Sequence, residues 1–240
     1  MTNTKRAASA ILSTLLGIAV VGAVGITLHT LSADPAGKLV ATKSADTITV
    51  DGKNYPKASV TMGVYPDSAT AVEHGSKPTK KDYVQYGPSN HVVLPAHTYV
   101  TMTLHVYDSG EKLNNPYFGK VVGTIGGTIN IDGVDVSSVA PDAVQHTFTL
   151  HGLPTSSQDP LFVNVPLPHV EVNDKDEFIP TNDPGTNNKG HTVVFSFLTG
   201  GKGEYVFNCE YPCGDGTTAR FGGPMSTQGY MSGNFTVANA

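Results

Sequence analysis

The sequence holds only two cysteines, a charged fraction of 15% and no basic cluster beyond its first six residues. A nucleic-acid partner needs a positive footprint that replaces counterions, so that class of function is set aside. No Ser/His/Asp signature, phosphate-binding loop or zinc-protease helix occurs, and little acid, base or nucleophile surrounds the cysteines beyond Glu210 and Asp215. An enzyme is therefore not expected. Helical periodicity is absent after the first thirty or so residues, and no internal repeat is found. What the chain has instead is glycine and proline, 26 and 16 of its 240 residues, with a hydrophobic fraction of 39%. That composition suits short strands joined by turns around a packed core, and argues against wholesale disorder.

The N-terminus carries a targeting pattern. Lys5 and Arg6 precede an uncharged run from Ala7 to Ala33. A membrane-spanning helix needs roughly 20 apolar residues, and the positive flank would keep its start in the cytoplasm. Ser32-Ala33 also suits the end of a cleaved signal peptide. Residues 1–33 are thus expected to be an N-terminal membrane anchor or a signal peptide, formed by one hydrophobic helix. On either reading, residues 34–240 lie outside the cytoplasm, membrane-tethered or secreted.

Strand patterns fill the remainder. In Tyr99-Val-Thr-Met-Thr-Leu-His-Val-Tyr107, Val100, Met102, Leu104 and Val106 point one way while Thr101, Thr103 and His105 point the other, the period-two sign of a half-buried strand. Further strands are expected at 46–50, 58–64, 82–86, 91–94, 146–150, 161–165, 191–197, 205–207 and 234–237. Glycine-bounded β-branched stretches fill 121–136. The segments 67–81 and 173–190 read as loops. Short strands at regular spacing with turns between them predict an all-β sandwich, one domain over 34–240, with 34–110 as an extension whose packing the sequence leaves open.

Cys209 and Cys213 stand four positions apart. In an exported protein they read first as a disulfide. Across so short a loop a disulfide removes little chain entropy. Read as thiolates, they bind a soft metal, copper or zinc, together with imidazole and thioether. Spacing leaves both open.

The run Gly203-Glu-Tyr205-Val-Phe-Asn-Cys209-Glu-Tyr-Pro-Cys213-Gly214 resembles the end of the exported copper domain of cytochrome c oxidase subunit II. That family carries G-x-Y, then Cys-x-x-x-Cys-Gly, then His-x-x-Met and a last strand. Tyr230-Met231-Ser-Gly233 and Asn234-Phe-Thr-Val237 are similar to the ending of cupredoxins generally, and Val144-Gln-His146-Thr-Phe-Thr-Leu150 resembles the strand bearing the first histidine ligand. The resemblance spans about 143–237 and implies a Greek-key cupredoxin-like sandwich. Carried over by position, it makes His146 the imidazole ligand, Cys209 and Cys213 the thiolates and Met231 the axial thioether, with Glu210 or Tyr211 offering a backbone carbonyl. The chain departs from the family at the second histidine, where Gln228 stands three residues before Met231. That departure argues for one copper ion rather than the family's pair. Gln228 becomes a weak amide ligand and Met225 a second thioether candidate. His151, His169 and His191 are weaker candidates to replace the missing imidazole.

Three functions follow. The first is electron transfer with a redox partner protein. The second is copper storage or delivery to a donor or acceptor protein. The third is a metal-free sandwich closed by a Cys209–Cys213 disulfide.

Overall fold

Alternation in the sequence becomes two sheets facing one another. The computed structural model describes residues 14–22, 37–77, 83–108, 110, 114–152, 157–171, 190–214, 216 and 222–239. The chain divides into two units, Met1–Pro35 and Ala36–Ala240. Of the first, residues 14–22 are described: a short helix with exposed side chains. Among the described residues no helix is long and apolar enough to cross a membrane. The flanks of the apolar run, 7–13 and 23–33, lie outside them, as do residues 172–189, most of the predicted loop 173–190.

The second unit is built from strands β1 (Leu39–Val40), β2 (Thr42–Val50), β3 (Lys53–Tyr65), β4 (Gln85–Gly87), β5 (His91–Pro95), β6 (Tyr99–Val106), β7 (Ile129–Ile131), β8 (Val134–Val136), β9 (Val144–Gly152), β10 (Phe162–Pro168), β11 (His191–Leu198), β12 (Gly203–Asn208) and β13 (Ser232–Ala238). One sheet has the order β1-β5-β13-β12-β9-β10; the other runs β2-β3-β6-β11-β7-β8, with β4 beside β3. The region from 37 to 108 is therefore no appendage. It supplies β3 and β6 to the second sheet, paired in parallel from Lys57↔Tyr99 to Val64↔Val106, and β5 to the first.

One difference from the sequence reading is local. Ser68–Glu73, expected as loop, forms a single helical stretch whose N-cap Asp67 accepts a hydrogen bond from the Thr70 amide at 2.6 Å. An Asp at the N-cap satisfies one of the amide donors left unpaired at a helix start. Six residues are too few to display an amphipathic period, so the pattern was silent there.

Between the sheets lies an aromatic core. Val100, Met102, Leu104 and Val106 are fully buried, as the alternation of β6 requires. Phe148, from the centre of β9, packs against Phe207 at 5.3 Å between ring centroids, Tyr86 and Phe195 at 5.8 Å and Phe235 at 5.9 Å. The Tyr86 hydroxyl donates to the Thr147 carbonyl at 2.8 Å, so the one polar atom of that ring is satisfied inside the core. Phe148 thus ties both sheets directly behind the strand that carries His146. Replacing it by alanine should cost about 3–5 kcal/mol, the range for truncating a buried aromatic, measured as a fall in the urea midpoint; a change under about 1 kcal/mol would mean the ring is not central.

Candidate metal centre

Three chain segments meet at one end of the sandwich. His146 comes from β9, Cys209 directly follows β12, and Met231 directly precedes β13. The pairing of β12 with β13 runs from Gly203↔Val237 to Asn208↔Ser232. It continues one step further as the Cys209 amide donates to the Met231 carbonyl at 3.0 Å. The ladder thereby fixes Cys209 beside Met231. The Met231 amide donates in turn to the Pro224 carbonyl at 3.1 Å, closing the 222–231 loop over the site.

The two thiols and the imidazole converge. His146 Nδ1 lies 2.9 Å from Cys213 Sγ and 3.8 Å from Cys209 Sγ, and the sulfurs are 3.5 Å apart. Both cysteines are free thiols in this structure. Among the described residues, His146, Cys209 and Cys213 are the group whose ligand atoms all lie within 4.8 Å of one another. His146, Cys209 and Met231 are buried and Cys213 is partly buried, so the donors form a largely buried cluster rather than a surface patch. The Thr147 amide and the Tyr211 carbonyl both contact Cys209 Sγ at 3.5 Å. The Cys213 amide donates to the same Tyr211 carbonyl at 2.7 Å, so the short loop between the cysteines is folded back on itself.

The other predicted residues divide. Met231 is fully buried in the core cluster that includes Cys209, and Met225 is partly buried against it. Gln228 is exposed on the loop between them. His151 lies on the outer side of its sheet, with Nε2 3.3 Å from Asn208 Oδ1 and 4.0 Å from Glu210 Oε1. His169 Nε2 approaches Glu171 Oε1 at 3.8 Å, and His191 Nδ1 pairs with Asp132 Oδ2 at 2.6 Å. None of these three belongs to the group around the sulfurs.

Asp108 is the residue that sequence reasoning missed. It follows β6 in the opposite sheet, is buried, and places Oδ2 2.6 Å from His146 Nε2. Gln145 Nε2 donates to the same oxygen at 2.5 Å. With Nε2 held by a carboxylate, the imidazole turns Nδ1 toward the sulfurs. Outer partners of this kind fix ring orientation and raise the basicity of a metal-binding nitrogen. No sequence signal links the two residues, since they stand 38 positions apart.

The protonation states follow from this packing. Burial disfavours the charged form of His146, yet hydrogen bonds and negative charge from Asp108 and Cys209 outweigh it and push its pKa up to about 9. Burial also pushes the Cys209 thiol up, but hydrogen bonds from Cys213 and His146, with the charge of the imidazole, hold it well below the ordinary thiol range. Cys213 moves the other way: the hydrogen bond to Cys209, burial, and the negative charges of Cys209 and Asp108 keep it protonated. In the metal-free site negative charge is thus favoured on Cys209, and protons are favoured on Cys213 and His146.

This donor set fits a soft or borderline ion. Two sulfurs and an imidazole nitrogen within bonding reach of one point match copper or zinc, and among the described residues no carboxylate oxygen joins them, Asp108 being engaged behind the ring.

Comparisons with known proteins add likeness without identity. No protein-family profile and no curated protein matches the chain. Among solved structures, auracyanin B aligns over 82% of this chain and 97% of its own at 13% identity, with a TM-score of 0.33. A structure described as the copper protein rusticyanin aligns over 83% and 88% at 13% identity and 0.34. Rusticyanin from Thiobacillus ferrooxidans aligns over 82% and 87% at 10% identity and 0.32. Scores and identities this low assign neither family nor ligand.

Two measurements check the site. Asp108→Asn should weaken metal binding by about 10–100-fold, the usual cost of losing an outer-shell partner, with the far-ultraviolet circular dichroism unchanged. Binding a metal requires neutral His146 and two thiolates, so below about pH 9 the imidazolium proton must leave along with that of Cys213. Calorimetry in buffers of different ionisation enthalpy at pH 7 should therefore show up to two protons released per metal, with affinity rising toward pH 9. Release of none would contradict these protonation states.

Proposed function

We propose that this chain is an extracytoplasmic cupredoxin-type copper protein that transfers single electrons to or from a redox partner protein and has no enzymatic activity. The observation that carries the reading is the meeting of His146, Cys209 and Cys213 in a largely buried cluster at one end of a two-sheet sandwich. The order of these residues along the chain, with Met231 leading into the last strand, supports the same reading. One copper ion would be held by His146 Nδ1 and the two sulfurs, with Met231 beside Cys209 as the thioether. Met225 is the reserve thioether. Gln228, exposed and on the loop, contributes least. When bound, copper supplies the one-electron chemistry. The protein's own part is to hold the donors. Asp108 and Gln145 fix the imidazole, the β12–β13 ladder fixes Cys209, and the aromatic core resists movement of β9.

A second reading has an observation of its own. Two sulfurs and one imidazole in a buried setting favour Cu(I), which suits storage or delivery more than redox cycling. The extracytoplasmic location rests on the charge-flanked apolar run at the N-terminus.

Copper added to the reduced protein separates these readings. Electron transfer predicts one copper per chain and an intense visible thiolate-to-copper band that bleaches and returns on reduction and reoxidation. A colourless protein that retains one copper favours storage or delivery. Loss of free thiols and no retained copper in protein isolated without reductant would contradict both.

A further inference from the structure

A groove of about 370 Å³ lies on the outer face of the first sheet, immediately behind the cysteine loop. Its walls are aromatic and aliphatic: Tyr117, Phe118, Val122 and Phe162, of which Tyr117 is 68% and Phe162 49% exposed. Apolar surface of this extent in a concavity is where small-molecule sites usually lie, provided that a few polar groups converge on it.

The walls are built in, not incidental. The Val122 amide donates to the Asn164 carbonyl at 3.0 Å, the Asn164 amide returns a bond at 2.9 Å, and Asn164 Nδ2 donates to the Lys120 carbonyl at 2.6 Å. Gly123 sits at φ +75° against β10, where a Cβ would meet the Phe162 carbonyl oxygen. The segment 117–123 is thus fastened to β10. Thr149 Oγ1 donates to Asn164 Oδ1 at 2.7 Å, which ties the floor of β9 to that of β10.

At the other side, the groove presents acceptors. His151 Nδ1 faces the Gly152 carbonyl at 3.4 Å and Nε2 faces Asn208 Oδ1 at 3.3 Å, both oxygen acceptors. Both ring nitrogens face oxygens, so the imidazole serves this rim as a donor and the open acceptor is elsewhere. Glu210 Oε1 accepts from Asn208 Nδ2 at 3.2 Å, and a carboxylate has further lone pairs free. The Lys120 ammonium lies 5.7 Å from the Tyr117 ring centroid and is occupied with its face. Aromatic walls with a carboxylate at one end complement a planar ligand bearing a hydrogen-bond donor, and with Lys120 and Glu210 both lining it the groove carries one charge of each sign, which suits an uncharged ligand.

We propose that this groove binds an uncharged hydroxylated aromatic molecule of the phenol or hydroquinone class. The ring lies between Tyr117, Phe118 and Phe162, and its hydroxyl donates to the Glu210 carboxylate. The site goes beyond the copper reading, and binding does not depend on the metal. Its position has a consequence for that reading all the same. Asn208 and Glu210 flank Cys209 in sequence, and Phe118 packs edge-on against Tyr211 at 5.9 Å, so the bound ring sits one residue from the cysteine.

The test uses copper-free, reduced protein titrated with 2-naphthol and followed by two-dimensional amide NMR. Saturable shifts confined to 117–122, 149–152, 162–164 and 208–211 are expected. Phe162→Asp and Glu210→Ala, both at exposed positions, should each weaken binding at least tenfold, and 2-methoxynaphthalene, which lacks the donor, should bind at least tenfold more weakly than 2-naphthol. Shifts that do not saturate or fall elsewhere, equal binding of the ether, or indifference to both substitutions would overturn the assignment. Because no copper is present, failure here leaves the copper titration untouched, and failure of copper binding leaves this result standing.

Discussion

The hydrogen bond between Asp108 Oδ2 and His146 Nε2, 2.6 Å long and buried, is the constraint on which the rest of the site depends. It joins a residue that follows β6 in one sheet to a residue of β9 in the other. Without it, the imidazole is free to turn about its side-chain torsions, and Nδ1 need not face the sulfurs. With it, one ring nitrogen is committed and the other is aimed. The cost of burying a carboxylate is offset because Gln145 and His146 both donate to it.

The same bond couples fold to chemistry. Asp108 reaches His146 because β3, β6 and β11 align the second sheet under the first, and Phe148 holds that alignment by packing across the sandwich on Phe195 of β11 and Tyr86 of β4. The negative charge of Asp108 then raises the proton affinity of His146 and of Cys213 together. The thiolate character falls on Cys209, the more deeply buried of the two and the one fixed by the β12–β13 ladder. Without a metal the negative charge thus favours Cys209, while the protons on Cys213 and His146 are held until a metal displaces them.

Much of the fold was legible in the sequence because strands advertise themselves by alternation. Val100 to Val106 did so cleanly, and all four inward residues are fully buried. His191 to Phe197 behaved likewise. The helix at Ser68–Glu73 was not legible because it is shorter than the period that would reveal it. The membership of residues 37–65 in the sheets was not legible either, since β3 pairs with β6 across a separation that no local pattern encodes. Within the site, the resemblance to the exported copper domain singled out His146, Cys209 and Cys213, which spacing alone left open and which the fold brings together, whereas Asp108 is a partner made by topology alone. The groove beside the cysteine loop is of the same kind: Tyr117 and Phe162 are unremarkable in sequence and meaningful only once β10 and the 117–123 segment are fastened together.

The central claim is that His146, Cys209 and Cys213 hold one metal ion. X-ray absorption at the copper edge of the reduced, copper-loaded protein tests it most directly. The account predicts a first shell dominated by two sulfur scatterers with one imidazole nitrogen, and loss of the imidazole outer-shell scattering in His146→Ala. A shell of nitrogen and oxygen alone, or one unchanged by that substitution, would contradict it.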